Sequence, residues 1–185
     1  MCLKHKDFPL LATDRLHLRK ITKEDAADIY RYLSDKAVMK YYGMEPFQSV
    51  EETVEEIDWY SKIHMQQTGI RWGITLKGED KVIGSCGFLN WEKRHFRSEV
   101  GFELHQQYWG QGLVSEALHA VVDYGFDQMK LVRIQALVEP PNRQSQRVLE
   151  KNNFLQEGLL RSYEYSCGKM DDFYMYSLLK TDFKS

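Results

Sequence analysis

The 185-residue chain lacks the marks of several protein classes. Its three cysteines, Cys2, Cys86 and Cys167, are an odd number, far apart and without a C-x-x-C spacing. That excludes a disulfide framework and suits a reducing compartment. None of the six histidines stands near a cysteine in a paired ligand pattern, so no metal is expected. No apolar run approaches the ~18 residues of a membrane span. The N-terminus, Met1-Cys2-Leu3-Lys4-His5-Lys6 before a short apolar patch from Phe8 to Ala12, does not read as a signal peptide. An excess of either charge is also missing. Lys+Arg number 25 against Asp+Glu at 27, a formal charge of -2, and no long basic stripe argues for nucleic acid as a partner. The four prolines form no linker, and there is no internal repeat or low-complexity segment. With 43% hydrophobic residues, the expectation is a cytoplasmic chain with one full-sized core.

Residues 15–19 alternate polar and apolar side chains, which predicts a half-buried strand. Thr22 with Asp25, and Ser49 with Glu52, carry capping-box spacing for two helices, the second reaching Met65. Residues 71–77 and 81–91 read as strands joined by the turn Gly78-Glu79-Asp80, and 97–104 as a third. On this third strand, Val100, Phe102 and Leu104 share one face and Glu99, Gly101 and Glu103 the other. A helix over 114–129 has a core stripe at Ala117, Leu118, Val121, Val122 and Phe126. A strand at 132–138 then stops at Pro140-Pro141. A short helix from Asn142 to Asn152 ends where Asn153 supplies a left-handed residue. Strands at 154–166 and 173–180 complete about seven. The order predicts an α+β protein with a mixed, mostly antiparallel sheet flanked by helices.

The most informative stretch is Gln107-Tyr108-Trp109-Gly110-Gln111-Gly112-Leu113-Val114-Ser115, between a strand and a long helix. Two glycines one residue apart clear side chains from the backbone, and the first helical turn offers unpaired N–H groups at the positive end of its dipole. A phosphate or pyrophosphate suits such a cradle. A Walker string G-x-x-x-x-G-K-[ST] is absent, and Ser115 stands where a dinucleotide fingerprint needs its third glycine. Q-x-x-G-x-G remains, open at this point to a plain tight turn as well. About thirty residues on, after one strand, Asn142-Arg143-Gln144-Ser145 opens the short helix.

This pair of motifs resembles the GNAT superfamily of acyl-CoA-dependent N-acetyltransferases. Tyr108-Trp109-Gly110-Gln111-Gly112-Leu113 with Ser115-Glu116-Ala117-Leu118 is similar to the RimJ/RimL type, which acetylates ribosomal-protein N-termini. The likeness runs from Thr13-Asp14-Arg15-Leu16 to the last strand, and implies a single GNAT domain over 1–185 with its core at about 13–181. It implies that the coenzyme A pyrophosphate lies on the backbone of Gly110, Gln111, Gly112, Leu113, Val114 and Ser115. Pantetheine then pairs like an extra strand with Phe102, Glu103 and Leu104, and Asn142 contacts the pantetheine arm. Many relatives carry Arg or Lys in the loop. This loop is uncharged, so phosphate binding is expected to rest on backbone N–H groups with modest salt dependence.

Acetyl transfer from acetyl-CoA, as co-substrate, needs a neutral amine, a stabilised oxyanion and a proton for the leaving thiolate. The resemblance implies the amide near Leu104 as oxyanion donor. Ser145 matches the serine proposed to protonate the thiolate, and a serine bonding its own helix start is an equal alternative. Two carboxylates compete as base: Glu164, like the glutamate of the RimL group, placed first, and Glu99, like the strand glutamate of histone-type relatives. An α-amine with pKa near ~7.8 costs about 1 kcal/mol to deprotonate at pH 7, and a lysine near ~10.4 roughly 4.6 kcal/mol. A water-relayed base therefore favours the N-terminal α-amine of a protein, plausibly ribosomal. A small amine (polyamine or aminoglycoside) and a non-catalytic acyl-CoA-binding module are the rivals. The acidic residues Glu51, Glu52, Glu55, Glu56 and Asp58 read as a solvated helix face or as an attractor for a basic peptide. Tyr41 and Tyr42 read as packing or as a cover over the acceptor. No membrane partner is expected, and monomer or homodimer is left open.

Overall fold

In the computed structural model, residues 8–183 are described. Cys2 and the basic N-terminal residues lie outside them. The described strands are β1 (Leu11–Ala12), β2 (Leu16–Lys20), β3 (Ile70–Leu76), β4 (Val82–Glu92), β5 (Arg97–Leu104), β6 (Arg133–Val138), β7 (Leu155–Ser166) and β8 (Lys169–Leu179). The described helices are α1 (Ala26–Leu33), α2 (Lys36–Met39), α3 (Val50–Met65), α4 (Leu113–Asp127) and α5 (Arg143–Lys151). The strands form one sheet in the order β1-β2-β3-β4-β5-β6-β8-β7. β5 and β6 are its parallel pair, and every other neighbour is antiparallel. β1 and the one-turn helix α2 go beyond the elements expected from periodicity, being too short to show a period.

Two apolar clusters cover the two faces. Leu16, Leu18, Trp72, Ile74, Phe88, Val100 and Leu104 pack against Ala117, Leu118, Val121 and Val122 of α4. On the other face Ile29, Tyr32 and Leu33 of α1 pack with Ile57 and Tyr60 of α3. The predicted α4 stripe is the buried one. Local signals set several element ends. Thr22 and Asp25 form the expected capping box, at a 3-10 turn leading into α1. Ser49 is the N-cap of α3, but Glu52 reaches back one residue further, accepting from the Gln48 amide at 2.9 Å. Asn153, at φ 64°, takes the left-handed conformation after α5. β8 starts earlier than periodicity suggested. Cys167 and Gly168 both have positive φ, 44° and 84°, and close a tight hairpin directly onto Lys169.

The feature that positions the site is a break in pairing. β5 and β6 are in register at Arg97–Arg133, Ser98–Ile134 and Glu99–Gln135, and beyond Glu99 they part. Both strands continue, to Leu104 and Val138, with facing edges open.

Candidate active site

The parted strands open into a cleft of about 1200 Å³. Its floor is Val100 to Leu104 of β5 and Ala136 to Val138 of β6. One end is closed by the glycine loop and α5, the other by α2, α3 and Tyr41–Tyr42.

Ladder geometry decides which β5 groups face the opening. The His105 amide donates to the Ile83 carbonyl at 2.8 Å, so His105, Glu103 and Gly101 bond to β4. Alternation then turns the backbone of Leu104, Phe102 and Val100 toward β6, which has moved away. The Leu104 carbonyl accepts from Trp109 Nε1 at 2.8 Å, while its N–H looks into the cleft. Glu103 is engaged elsewhere. Its backbone faces β4, and its carboxylate pairs with Arg71 Nη2 and Ser85 Oγ in the interior. An extended ligand arm in the opening would therefore pair with Phe102 and Leu104.

Gly110 and Gly112 have φ of +75° and +76°, in the left-handed region where a side chain costs roughly 1–2 kcal/mol. Gly112 is the N-cap of α4 and supplies no side-chain cap, leaving the first-turn amides of Leu113, Val114 and Ser115 open at the cleft wall. The Ser115 hydroxyl is taken, accepting from Asn152 Nδ2 at 2.8 Å. An anion here is thus held by backbone. Gln111 is not part of the wall; its carbonyl accepts from Arg15 Nη1 at 3.0 Å and its side chain donates to the Gln107 carbonyl.

The loop is uncharged, yet its surroundings are not. Arg143, Arg147 and Lys151 recur at i, i+4, i+8 on α5 and all line the cleft. No carboxylate pairs with any of the three among the described residues. Arg15, held by Glu116 at 2.7 Å, brings a further guanidinium to within 3.6 Å of where a Gly112 Cβ would sit. The i, i+4, i+8 spacing is present in the sequence, but only the packing of α5 beside the cleft brings the three cations to the loop.

Asn142 caps α5, its Oδ1 accepting from the Ser145 amide at 3.2 Å. Both line the cleft, and no partner takes the Ser145 hydroxyl among the described residues. The two candidate bases lie together, outside the cleft wall. Glu99 is the last β5 residue paired to β6. Burial raises its pKa, the charge of Glu164 raises it further, and a hydrogen bond with Asn90 pulls it partly back. Glu164 is exposed on the edge strand β7, opposite Asp171.

Sequence reading missed Arg71. On the α1/α3 face its guanidinium crosses the sheet over Gly87 and Gly101, which stand in register beside it. Nε donates to Ser85 Oγ at 2.6 Å and Nη2 to Glu103. Burial works against the Arg71 charge, but Glu103 together with Tyr60, Tyr42 and Cys86 more than offsets it; burial also pushes the Glu103 carboxyl up, with Arg71 and Ser85 pulling it back only in part. Burial pushes the Cys86 thiol up to about 12, so it is no nucleophile. Among the described residues no His/Cys/Asp/Glu group is placed to hold a metal. No described helix is long and apolar enough to cross a membrane.

Known proteins are similar to this chain in sequence and fold. The Acetyltransferase (GNAT) domain profile matches residues 15–155. An uncharacterized N-acetyltransferase, YoaA of Bacillus subtilis, is 40% identical over 173 residues, 94% of this chain and 98% of its own. The spermidine N(1)-acetyltransferase of Escherichia coli is 27% identical over 77% of this chain and 74% of its own. A GNAT-family acetyltransferase structure from Bacillus anthracis superposes with a TM-score of 0.83 at 30% identity, covering 94% of this chain and 99% of that one. The RimL ribosomal L7/L12 α-N-protein acetyltransferase, solved with coenzyme A, shares the fold at TM-score 0.82 and 21% identity over 92% and 98% of the two chains. The splayed strands, the left-handed glycine loop and the 40% identical N-acetyltransferase agree, and the chain belongs to the GNAT family of acetyl-CoA-dependent N-acetyltransferases.

Proposed function

We propose that this cleft moves an acetyl group from acetyl-CoA directly to a primary amine, first the N-terminal α-amine of a protein, with both substrates bound together. The observation that carries this reading is the opening between β5 and β6, with Glu99 at its apex and the α4 N-terminus at its end. The residues fit the co-substrate. The amides of Leu113, Val114 and Ser115 hold the pyrophosphate, with Arg143, Arg147 and Lys151 as neighbouring cations. Phe102 and Leu104 receive the pantetheine arm, and Asn142 meets it from α5. Acetyl-CoA supplies an activated acyl group and a thiolate leaving group.

The chain's own residues do the rest. The Leu104 N–H, facing the opening, stabilises oxyanion charge. Glu99 accepts the amine proton through water, because its side chain is on the α1/α3 face and outside the cleft wall. We assign the base to Glu99 over Glu164 on position: Glu99 is half-buried where β5 and β6 part, whereas Glu164 is exposed on the edge strand. Glu164 acts as the neighbouring charge that tunes it. Ser145, whose hydroxyl is unclaimed, donates a proton toward the departing thiolate.

A modest base suits an α-amine, which costs about 1 kcal/mol to deprotonate at pH 7, over a lysine at roughly 4.6 kcal/mol. The test is to incubate the protein with acetyl-CoA and ribosomal-protein N-terminal peptides, and to locate the acetyl group by mass spectrometry. Acetyl on the α-amine supports the reading. Acetylation confined to spermidine or an aminoglycoside in parallel reactions replaces the acceptor.

A further inference from the structure

The end of the cleft away from the glycine loop carries a polar cluster that acetyl-CoA binding does not use. Helix α3 turns Thr53, Glu56 and Tyr60, at i, i+3 and i+7, toward one region, and Trp59 stands beside them. Glu56, Trp59, Tyr42, Arg71 and Glu103 line the cleft there. Behind them, Tyr32, Tyr60 and Thr53 are buried; the Tyr60 hydroxyl meets that of Tyr42, and the Tyr32 and Thr53 hydroxyls find no hydrogen-bond partner among the described residues. Buried hydroxyls are uncommon in an apolar core, and these three make the region behind the cleft polar. Tyr32 and Tyr60 both sit within electrostatic reach of Glu56, Glu103, Tyr42 and Arg71.

The charges at this end do not balance. Arg71 is spent on Glu103 and Ser85 in the interior. That leaves Glu56, which accepts from the Tyr42 hydroxyl at 3.4 Å and which no cation pairs with among the described residues. Lys40 is exposed at the rim, its ammonium 5.0 Å from the centre of the Tyr41 ring, where water screens it. A half-buried carboxylate flanked by an indole and phenols suits one positive group: carboxylate for charge, ring faces for cation–π contact, phenol oxygens for N–H donors. The reacting amine is not that group, since a carboxylate contact would hold it protonated and unable to attack.

We infer that Glu56, with Trp59 and Tyr42, binds a second, non-reacting cation on the acceptor, so that the preferred substrate is a primary amine carrying another ammonium or guanidinium. This rests on the transfer reading above for the meaning of "acceptor", and narrows it to dicationic amines. Glu56 is a specificity-determining residue that leaves the acyl group and the thiolate untouched.

The test is calorimetry on the full chain saturated with coenzyme A, which lacks the acetyl group and so allows binding without reaction. The probes are 1,4-diaminobutane, n-butylamine, and two short peptides starting Ala-Lys and Ala-Ala. A charged hydrogen bond of this kind corresponds to about tenfold or more in affinity. Wild type binds 1,4-diaminobutane at least about tenfold more tightly than n-butylamine, Glu56→Gln erases the advantage, and Glu55→Gln, on an exposed position of the same helix, keeps it. An Ala-Lys advantage over Ala-Ala that also depends on Glu56 identifies a basic N-terminus as the source of the cation; its absence leaves the small diamine. Equal affinity for diamine and butylamine, no diamine binding, or equal weakening by Glu55→Gln overturns the inference. Thiol release from acetyl-CoA, measured separately, keeps the two readings apart. Glu56-dependent diamine binding without release would sink the transfer reading and spare this one.

Discussion

Arg71 on β3 reaches across β4 to the carboxylate of Glu103 on β5, passing over Gly87 and Gly101 and collecting Ser85 on the way. The pair has a structural consequence for the active site. β5 loses its β6 neighbour after Glu99, so the part of β5 that faces the cleft is held from one side only by backbone bonds. The Arg71 side chain adds a second hold from below. Removing one partner leaves the other charge buried, which costs about 3–5 kcal/mol.

Glu103→Ala is therefore expected to lower stability by about that amount in thermal or denaturant unfolding. A loss below about 1 kcal/mol would show that Arg71 finds water or another partner.

The glycine loop gives a second expectation. Gly112→Glu forces a side chain into a left-handed position and sets a carboxylate where the pyrophosphate is placed. Acetyl-CoA affinity falls beyond detection while the far-UV circular dichroism stays that of the wild type. Unchanged affinity would refute the phosphate-loop assignment.

Salt dependence separates backbone from side-chain binding. From the uncharged loop alone, affinity for acetyl-CoA varies little with ionic strength. The stripe of Arg143, Arg147 and Lys151 along the same cleft changes that expectation. Affinity falls measurably between low and physiological salt, and Arg147→Ala with Lys151→Ala both weakens binding and flattens the slope. A slope unaltered by the double substitution would return the whole task to the backbone.

Base identity is read from pH profiles. Burial and then Glu164 raise the Glu99 pKa, and a base works only when deprotonated, so the rising limb of kcat/KM lies above the ordinary carboxylate range. Glu164→Gln removes a negative neighbour, lowers the Glu99 pKa and moves that limb to lower pH with activity kept. Glu99→Gln loses about 10²-fold or more. A crippled Glu164→Gln beside a normal Glu99→Gln would reverse the assignment.

Acid stability offers a check remote from the site. Arg133 first, and Ser177 second, hold the Glu157 carboxyl down at about 2. A lowered folded-state pKa contributes stability that is present above the unfolded value of ~4.3 and lost as pH falls through about 2. The melting-temperature difference between wild type and Glu157→Gln is thus constant near neutrality and disappears in that window. A difference that does not shrink as pH falls from about 5 to about 2 would contradict the pairing.

Much of this was readable from local pattern. The α4 stripe, the capping box at Thr22, the left-handed Asn153 and the Q-x-x-G-x-G loop are short-range signals, and each sits where its chemistry requires. What stayed hidden depends on registers between distant segments. Arg71 looked like one strand residue among many until β3, β4 and β5 were aligned, and Glu56 looked like one of five acids on a solvated helix. Glu103 illustrates the same limit. Alternation correctly put it on the face with Glu99 and Gly101, but that its side chain is consumed by Arg71 is a tertiary fact.

Thiol release from acetyl-CoA across a panel of primary amines shows whether the splayed cleft transfers acetyl groups to amines. The panel is ribosomal-protein N-terminal peptides, spermidine and an aminoglycoside, each assayed with wild type and with Glu99→Gln. The expected result is release dependent on one acceptor class and reduced about 10²-fold or more in the variant. Acetyl-CoA that raises the melting temperature yet releases no thiol with any amine would contradict it, leaving an acyl-CoA-binding module in its place.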